Sequence, residues 1–195
     1  MGGSVSKARL EAFSDGVIAI LITIMVLELR PPEQTDLDGL RPLIPVFLSY
    51  VLSFVNLAIY WNNHHHLLQA ASVVDGRVLW ANLHLLFWLS LFPFATAWMG
   101  ENALAPVPTA AYGVVLLCAA IAFVILVRVL VASRGQAPGL ADALGDDRKG
   151  RLSPLVYLIG APVALAVPWA GFALYASVAA IWFVPDRRFE RPGGD

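Results

Sequence analysis

Charge and cysteine are both scarce in this chain, and each shortage excludes a class of protein. Only 14% of the 195 residues are charged and 58% are apolar, whereas a soluble domain carries about 25% charged residues. The single cysteine, Cys118, excludes an intramolecular disulfide framework. No stretch is basic enough to predict nucleic-acid binding. With a mean hydropathy of +0.70, the composition predicts an integral membrane protein whose main surroundings are the lipid bilayer.

Apolar runs divided by polar or proline-containing segments predict an all-α membrane protein with six transmembrane helices. The expected spans are 13–29, 43–61, 79–99, 110–132, 155–167 and 169–184, which together make residues 1–195 a single six-helix repeat. At a rise of about 1.5 Å per residue, the first four cover most of a hydrocarbon layer of about 30 Å. The last run, 155–184, is too long for one ordinary span, and Pro162, Pro168 and Gly171 favour a tight hairpin.

The distribution of basic residues predicts the orientation of the chain. With six spans, eleven of the thirteen lysines and arginines lie on the side of the N-terminus, and only Arg30 and Arg41 lie on the other. Five spans would move the C-terminal cluster of Arg187, Arg188 and Arg191 across the membrane. The positive-inside rule therefore favours six spans with both termini cytoplasmic.

The first helix has two faces with different chemistry. At about 100° per residue, a stripe along one side contains Phe13, Gly16, Ile20, Thr23, Ile24 and Leu27. Such a stripe is apolar with one hydroxyl, which suits a narrow, poorly wetted pore. Packing against another helix is the alternative explanation for the same stripe.

Asp15 lies about 140° around the helix from Ile20, and a carboxylate at membrane depth needs a partner inside the protein. Arg9 is the nearest cation in sequence, but six residues put the two side chains about 120° apart on one helix. We therefore expect Arg9 to meet a helix end or a neighbouring subunit. The candidate partners of Asp15 are Trp61, His64, His65 and Asn82. An interfacial carboxylate favoured by the helix dipole is the alternative.

The run His64-His65-His66 raises the alternative of a metal enzyme. Consecutive residues of a helix point about 100° apart and cannot converge on one ion, and His84 is the only other histidine. No metal site and no catalytic residue are therefore predicted. An ion-coupled or proton-coupled secondary transporter is a further alternative, although broken helices near the midplane are expected only in the final hairpin.

Three sequence signatures resemble the transmembrane protein 175 family of potassium channels. The first is Arg9-x-x-x-Phe13-Ser14-Asp15, which opens an apolar helix. The second is Trp61 followed by His64 and His65, and the third helix, with Trp80 to Asn82 and Pro93 to Thr96, is similar as well. Together these segments cover about half of the chain.

The resemblance implies a potassium-permeable channel without an enzymatic activity or a cofactor. Single-repeat members of the family are homotetramers, so the first helices of four chains would line a central pore permeable to K⁺ and other monovalent cations. The constriction would be a ring of Ile20, followed by layers of Thr23 and Leu27, with no carbonyl selectivity filter.

Such a ring implies modest preference for K⁺ over Na⁺, because K⁺ gives up its hydration shell more easily, and the family also implies a proton leak. Arg9, Phe13, Ser14, Asp15, Trp61, His64, His65 and Asn82 would form a structural polar network. The expected location is the plasma membrane of a prokaryote.

Overall fold

The structure, a computed structural model, describes residues 6–133 and 148–183, and within these ranges every regular element is helical. The elements in chain order are α1 (Lys7–Leu27), a 3-10 helix (Leu37–Leu43), α2 (Ile44–Ala70), α3 (Gly76–Ser90), α4 (Phe92–Glu101), α5 (Pro106–Ala132), α6 (Arg148–Ala166) and α7 (Pro168–Phe183). With α3 and α4 counted as one broken segment, the described part of the chain has six helical segments. The all-α class predicted from the sequence is confirmed.

The second helix is longer than the predicted span of 43–61. α2 continues through the polar run after Trp61 and ends at Ala70. This extension is stabilised by tertiary contacts, since His64 is only 1% exposed and bonds to a residue of α3. All three consecutive histidines therefore lie on a regular helix, where their rings point about 100° apart.

The third predicted span, 79–99, is interrupted at Leu91. α3 ends at Ser90 and α4 begins at Phe92, with Pro93 in the first turn of α4. A proline is tolerated in a first turn but would remove a hydrogen bond and clash inside a continuous helix. The break lets the two halves pack differently: α3 packs mainly against α5 and α1, and α4 mainly against α2 and α5.

The last two helices pair antiparallel, and only Val167 separates them. Close to this turn, a Cβ added to Gly171 would come within 2.8 Å of Ala164 Cα, so the two helices touch. At the open end, Trp182 Nε1 donates a hydrogen bond to Ser153 Oγ at 2.8 Å. This is the hairpin shape expected for 155–184, although α6 begins earlier, at Arg148. Residue 184 and the C-terminal arginines lie outside the described residues.

Two contacts bring several helix ends to one end of the bundle. Lys7, at the start of α1, donates to the backbone of Gln69 and Ala71 at the end of α2. Ser133, after α5, donates to Asp75, which precedes α3. The start of α1, the end of α2, the start of α3 and the end of α5 therefore share one end.

The surface of the bundle matches a bilayer environment. Four helical stretches are long and apolar enough to cross a membrane, namely Lys7–Leu27, Leu37–Ala70, Gly76–Glu101 and Pro106–Ala132. Two shorter apolar helices follow, Leu152–Ala166 and Pro168–Trp182. Large apolar side chains such as Trp80, Phe94 and Ile159 are exposed on the outside, which is costly in water and favourable in lipid. The chain is an integral membrane protein.

Candidate functional site: the first helix and its polar network

The first helix packs into the bundle along one face. Five residues at a spacing of three or four are buried there: Leu10, Ser14, Ile18, Leu21 and Met25. This face contacts α2, α3 and α4. Because the spacing follows the helical repeat, only one side of α1 packs against the other helices of the chain.

The opposite face of α1 is exposed and carries the predicted stripe. Ile20 is 56% exposed and Leu27 is 77% exposed. Phe13 and Ile24 are also exposed hydrophobic residues, and Gly16 and Thr23 are exposed beside them. Within the described residues, no helix of the same chain covers the stripe, and packing against a helix of another copy stays open as the alternative.

On this exposed face, Gly16 adds no side chain and Thr23 adds one hydroxyl. The Thr23 hydroxyl donates to the carbonyl oxygen of Ile20 at 2.9 Å, so its one donor is used within α1. A Cβ added to Gly16 would meet nothing within 4 Å. The face is thus a continuous apolar surface with one hydroxyl bonded back to the helix.

A buried chain of hydrogen bonds links α1, α2 and α3 behind that face. Asn82 Nδ2 donates to Ser14 Oγ at 2.9 Å, so its Oδ1 is left to accept the hydrogen bond from His64 Nε2 at 2.6 Å. Ser14 and Asn82 are completely buried. Buried hydrogen bonds of this kind fix the relative position of helices, because breaking one leaves polar atoms unsatisfied.

Asp15 finds its partner on α2. Trp61 Nε1 donates to Asp15 Oδ1 at 2.9 Å, so of the four expected partners the structure pairs the carboxylate with Trp61. His65 stacks on the Trp61 ring with centroids 5.8 Å apart and shares a 2.9 Å hydrogen bond with Gln69. The expected network residues Ser14, Asp15, Trp61, His64, His65 and Asn82 therefore lie together, whereas Phe13 lies on the exposed face instead.

The basic residue that meets a helix end is Lys7, not Arg9. Lys7 Nζ donates to Gln69 O at 2.9 Å and to Ala71 O at 3.0 Å, and it lies 3.9 Å from Glu11. A cation at the C-terminus of α2 satisfies its last carbonyls and opposes the negative end of its dipole. Arg9 is exposed and its side chain makes no hydrogen bond or ion pair with the described residues. Sequence reasoning missed Lys7 because its partner is set only by where α2 ends.

The histidine run does not gather into a metal site. His64 bonds to α3, and His65 turns toward Trp61 and Gln69 of its own helix. Within residues 6–133 and 148–183, no three histidine, cysteine, aspartate or glutamate side chains are grouped closely enough to hold a metal ion. His64 instead joins α2 to α3, while His65 contacts residues of α2 itself.

A second polar cluster, which sequence reasoning did not single out, pins α2, α4 and α5 together. Ser53 Oγ lies 2.6 Å from Thr96 Oγ1 and donates to the Tyr112 hydroxyl at 2.9 Å. Thr96 also donates to Phe92 O at 2.6 Å. The available signal was the presence of Ser53, Thr96 and Tyr112 in three separate apolar spans, since hydroxyl groups in lipid must find partners.

The fold and this site define a polytopic all-α membrane protein whose first helix is anchored by polar bonds on one side and open on the other. The family model for the endosomal/lysosomal potassium channel TMEM175 matches residues 9–93. A potassium channel of Chryseobacterium sp. (strain P1-3) is 48% identical over 186 residues, covering 95% of this chain and 97% of that protein. The chain belongs to the TMEM175 family.

Other relatives and a solved structure agree with this assignment. A potassium channel of Chamaesiphon minutus is 29% identical and covers 90% of this chain and 92% of its own. The crystal structure of a lysosomal potassium-selective channel TMEM175 homolog from the same organism superposes with a TM-score of 0.78 at 28% identity, over 91% of this chain and 96% of that chain. The human endosomal/lysosomal proton channel TMEM175 is 24% identical, and the match covers 63% of this chain but 24% of the human protein.

Proposed function

We propose that this chain is one subunit of a potassium-permeable cation channel whose pore is lined by α1 from four copies. The observation that carries the proposal is the two-sided burial of α1. Its Ser14 and Ile18 side is completely buried, while Ile20 and Leu27 are exposed. The similarity to proteins named potassium channels supports the same function.

The spacing along the exposed face supports a bundle of α1 helices. Phe13, Gly16, Ile20, Thr23 and Leu27 follow one another at alternating intervals of three and four residues. This pattern is typical of left-handed helical bundles, in which the seam continues to face the bundle axis. A closed ring of copies would cover this face of α1 on every chain, and we propose that the ring has four members.

The proposed constriction is the ring of Ile20 side chains. Four branched side chains at the axis exclude most water, so a permeating ion loses part of its hydration shell there. The loss is smaller for K⁺ than for Na⁺, which gives a modest preference for K⁺. Thr23 and Leu27 form the next layers, and Phe13, Gly16 and Ile24 complete the pore wall.

Proton permeation is a second activity that the relatives favour. Animal relatives are named proton channels, although they match only part of this chain. Three titratable residues of the network, Asp15, His64 and His65, lie behind the exposed face of α1 and not on it. We therefore propose that protons leak through the same water-poor pore, with the polar network holding α1 in place.

The proposed location is the plasma membrane of a prokaryote, with both termini cytoplasmic. The contacts that join Lys7 to the end of α2 and Ser133 to Asp75 bring segments carrying Arg9, Arg77 and Arg128 to the same end of the bundle, and this supports a cytoplasmic side rich in basic residues. No catalytic residue, metal or cofactor is assigned. The permeant ions are the ligands, and the partners are the other three subunits and the bilayer.

Ion flux into proteoliposomes tests the function directly. We expect K⁺ to enter without any other solute, and Na⁺ to enter more slowly under an equal gradient. A proton gradient alone should produce a smaller flux. A coupled transporter would require a second substrate or an opposing ion for any K⁺ movement, and that outcome would contradict the channel.

A further inference from the structure

A large apolar cavity lies at the end of the bundle where α1 stops and α2 begins. Its volume is about 590 Å³, within the range of about 300–1,000 Å³ typical of ligand pockets. The wall comes from the segment after α1, the 3-10 helix and the first turns of α2: Leu29, Arg30, Pro31, Pro32, Leu40, Leu43, Ile44, Val46, Phe47 and Leu48. The cavity is separate from both the exposed stripe and the polar network.

Arg30 is the charged residue in the wall of this cavity. Its side chain is exposed and makes no hydrogen bond or ion pair with the residues that the structure describes. Arg41, nearby on the 3-10 helix, is different, because its Nε lies 3.2 Å from Asp38 Oδ1. At this end of the bundle, one arginine is therefore paired and the other is free to meet an anion.

Arg30, in the wall of the cavity, is expected at the depth of a lipid headgroup. α1 has 21 residues and is about 32 Å long at about 1.5 Å per residue, close to the thickness of a hydrocarbon layer. Arg30 follows the end of α1 by three residues, which places it at the interface where phosphate groups lie. Pro31 and Pro32 hold the chain extended there, so the wall beside Arg30 is stiff.

We propose that this cavity binds an anionic phospholipid, with one acyl chain between the 3-10 helix and α2 and the phosphate on Arg30. The apolar wall matches an acyl chain, and the unpaired guanidinium matches a phosphate, which it can bind through two parallel hydrogen bonds. A helix of a second copy would fill the apolar part equally well. A phospholipid supplies an acyl chain and an anion in one molecule, so the unpaired Arg30 beside the apolar wall favours the lipid.

The test uses full-length protein in nanodiscs and native mass spectrometry. The probes are phosphatidylglycerol and phosphatidylcholine with identical acyl chains. Arg30→Gln should weaken the retention of phosphatidylglycerol by about fivefold, because one contact with the headgroup is lost. The retention of phosphatidylcholine should stay unchanged. Arg41→Gln is the matched control, because that arginine is already paired, and it should retain phosphatidylglycerol as the wild type does.

A second variant tests the acyl-chain part of the site. Leu40 is an exposed residue of the wall, so Leu40→Trp narrows the cavity without disturbing the buried core, and it should reduce retention of both lipids. Equal losses in Arg30→Gln and Arg41→Gln would show general attraction to basic residues and overturn the site. Loss of oligomers in Leu40→Trp with lipid retention unchanged would assign the cavity to a subunit contact instead.

Discussion

Asp15 shows how a single charged residue can serve packing at the edge of an apolar helix. Its carboxylate accepts from Trp61 Nε1 on α2, and bonds to a charged acceptor are stronger than neutral ones by about 1 kcal/mol. Asp15→Asn should therefore lower the apparent melting temperature without changing ion preference. Glu28→Gln is the control, because Glu28 caps the C-terminus of the same helix and its side chain makes no hydrogen bond or ion pair with the described residues. Changed selectivity with an unchanged melting temperature in Asp15→Asn would place the carboxylate in the conduction path.

Removing the side-chain hydroxyl should change the stability of the protein differently at two buried tyrosines. Tyr112 OH accepts from Ser53, whereas the buried Tyr175 OH has no hydrogen-bond partner among the described residues and lies against Gly113. Tyr112→Phe should destabilise the protein by about 1 kcal/mol, and Tyr175→Phe should be neutral or stabilising. Thermal unfolding of the two variants in the same detergent measures the difference. A larger loss in Tyr175→Phe would contradict the assigned hydrogen bonds.

At the scale of single elements, the start of α3 depends on a carboxylate cap. Asp75 Oδ1 accepts from Val78 N at 3.0 Å and from Arg77 N at 2.9 Å. The Val78 bond is the main reason that the pKa of Asp75 lies below its ordinary value of 3.8. A depressed pKa adds stability that is complete above the ordinary value and is lost as the pH falls through the folded value.

Asp75→Asn should therefore remove part of the acid sensitivity, since asparagine also caps helices but does not titrate in this range. The measurement is the melting temperature of both proteins between about pH 7 and about pH 3. The wild type should lose more stability than the variant below about pH 4. If the melting temperatures of the two proteins fall in parallel with pH, the stability of the cap does not depend on the charge of Asp75.

The sequence could predict the helices, because the length of an apolar run and the position of a proline act on the local structure. Their ends depended on tertiary partners. The polar run after Trp61 predicted an end to the second span, but His64 bonds to Asn82 of α3 and α2 continues. Pro93 was visible in the sequence, yet whether it would bend or break the third span was set by how α3 and α4 pack. In the same way, Asp15 predicted a need for a partner, and only the fold selected Trp61.

For the whole molecule, the decisive feature is that the helices described in one chain leave a face of α1 uncovered. A single helix cannot enclose a water path, so we expect four chains of 21.1 kDa each in one particle. The mass of the protein in native nanodiscs checks this assembly. A stable monomer or dimer there would contradict the proposed pore, because its axis would have no closed wall.

The ring at Ile20 is tested most directly by the reversal potential under opposed K⁺ and Na⁺ gradients. Ile20→Asn adds polar groups that replace lost water, so conductance should rise and the preference for K⁺ should fall. Ile22→Asn is the matched control, since Ile22 is half-buried and packed against the core on another side of α1, and this change should harm stability without altering ion preference. A reversal potential shifted toward zero in Ile20→Asn and unchanged in Ile22→Asn is the predicted result. An unchanged reversal potential in Ile20→Asn would contradict the apolar constriction.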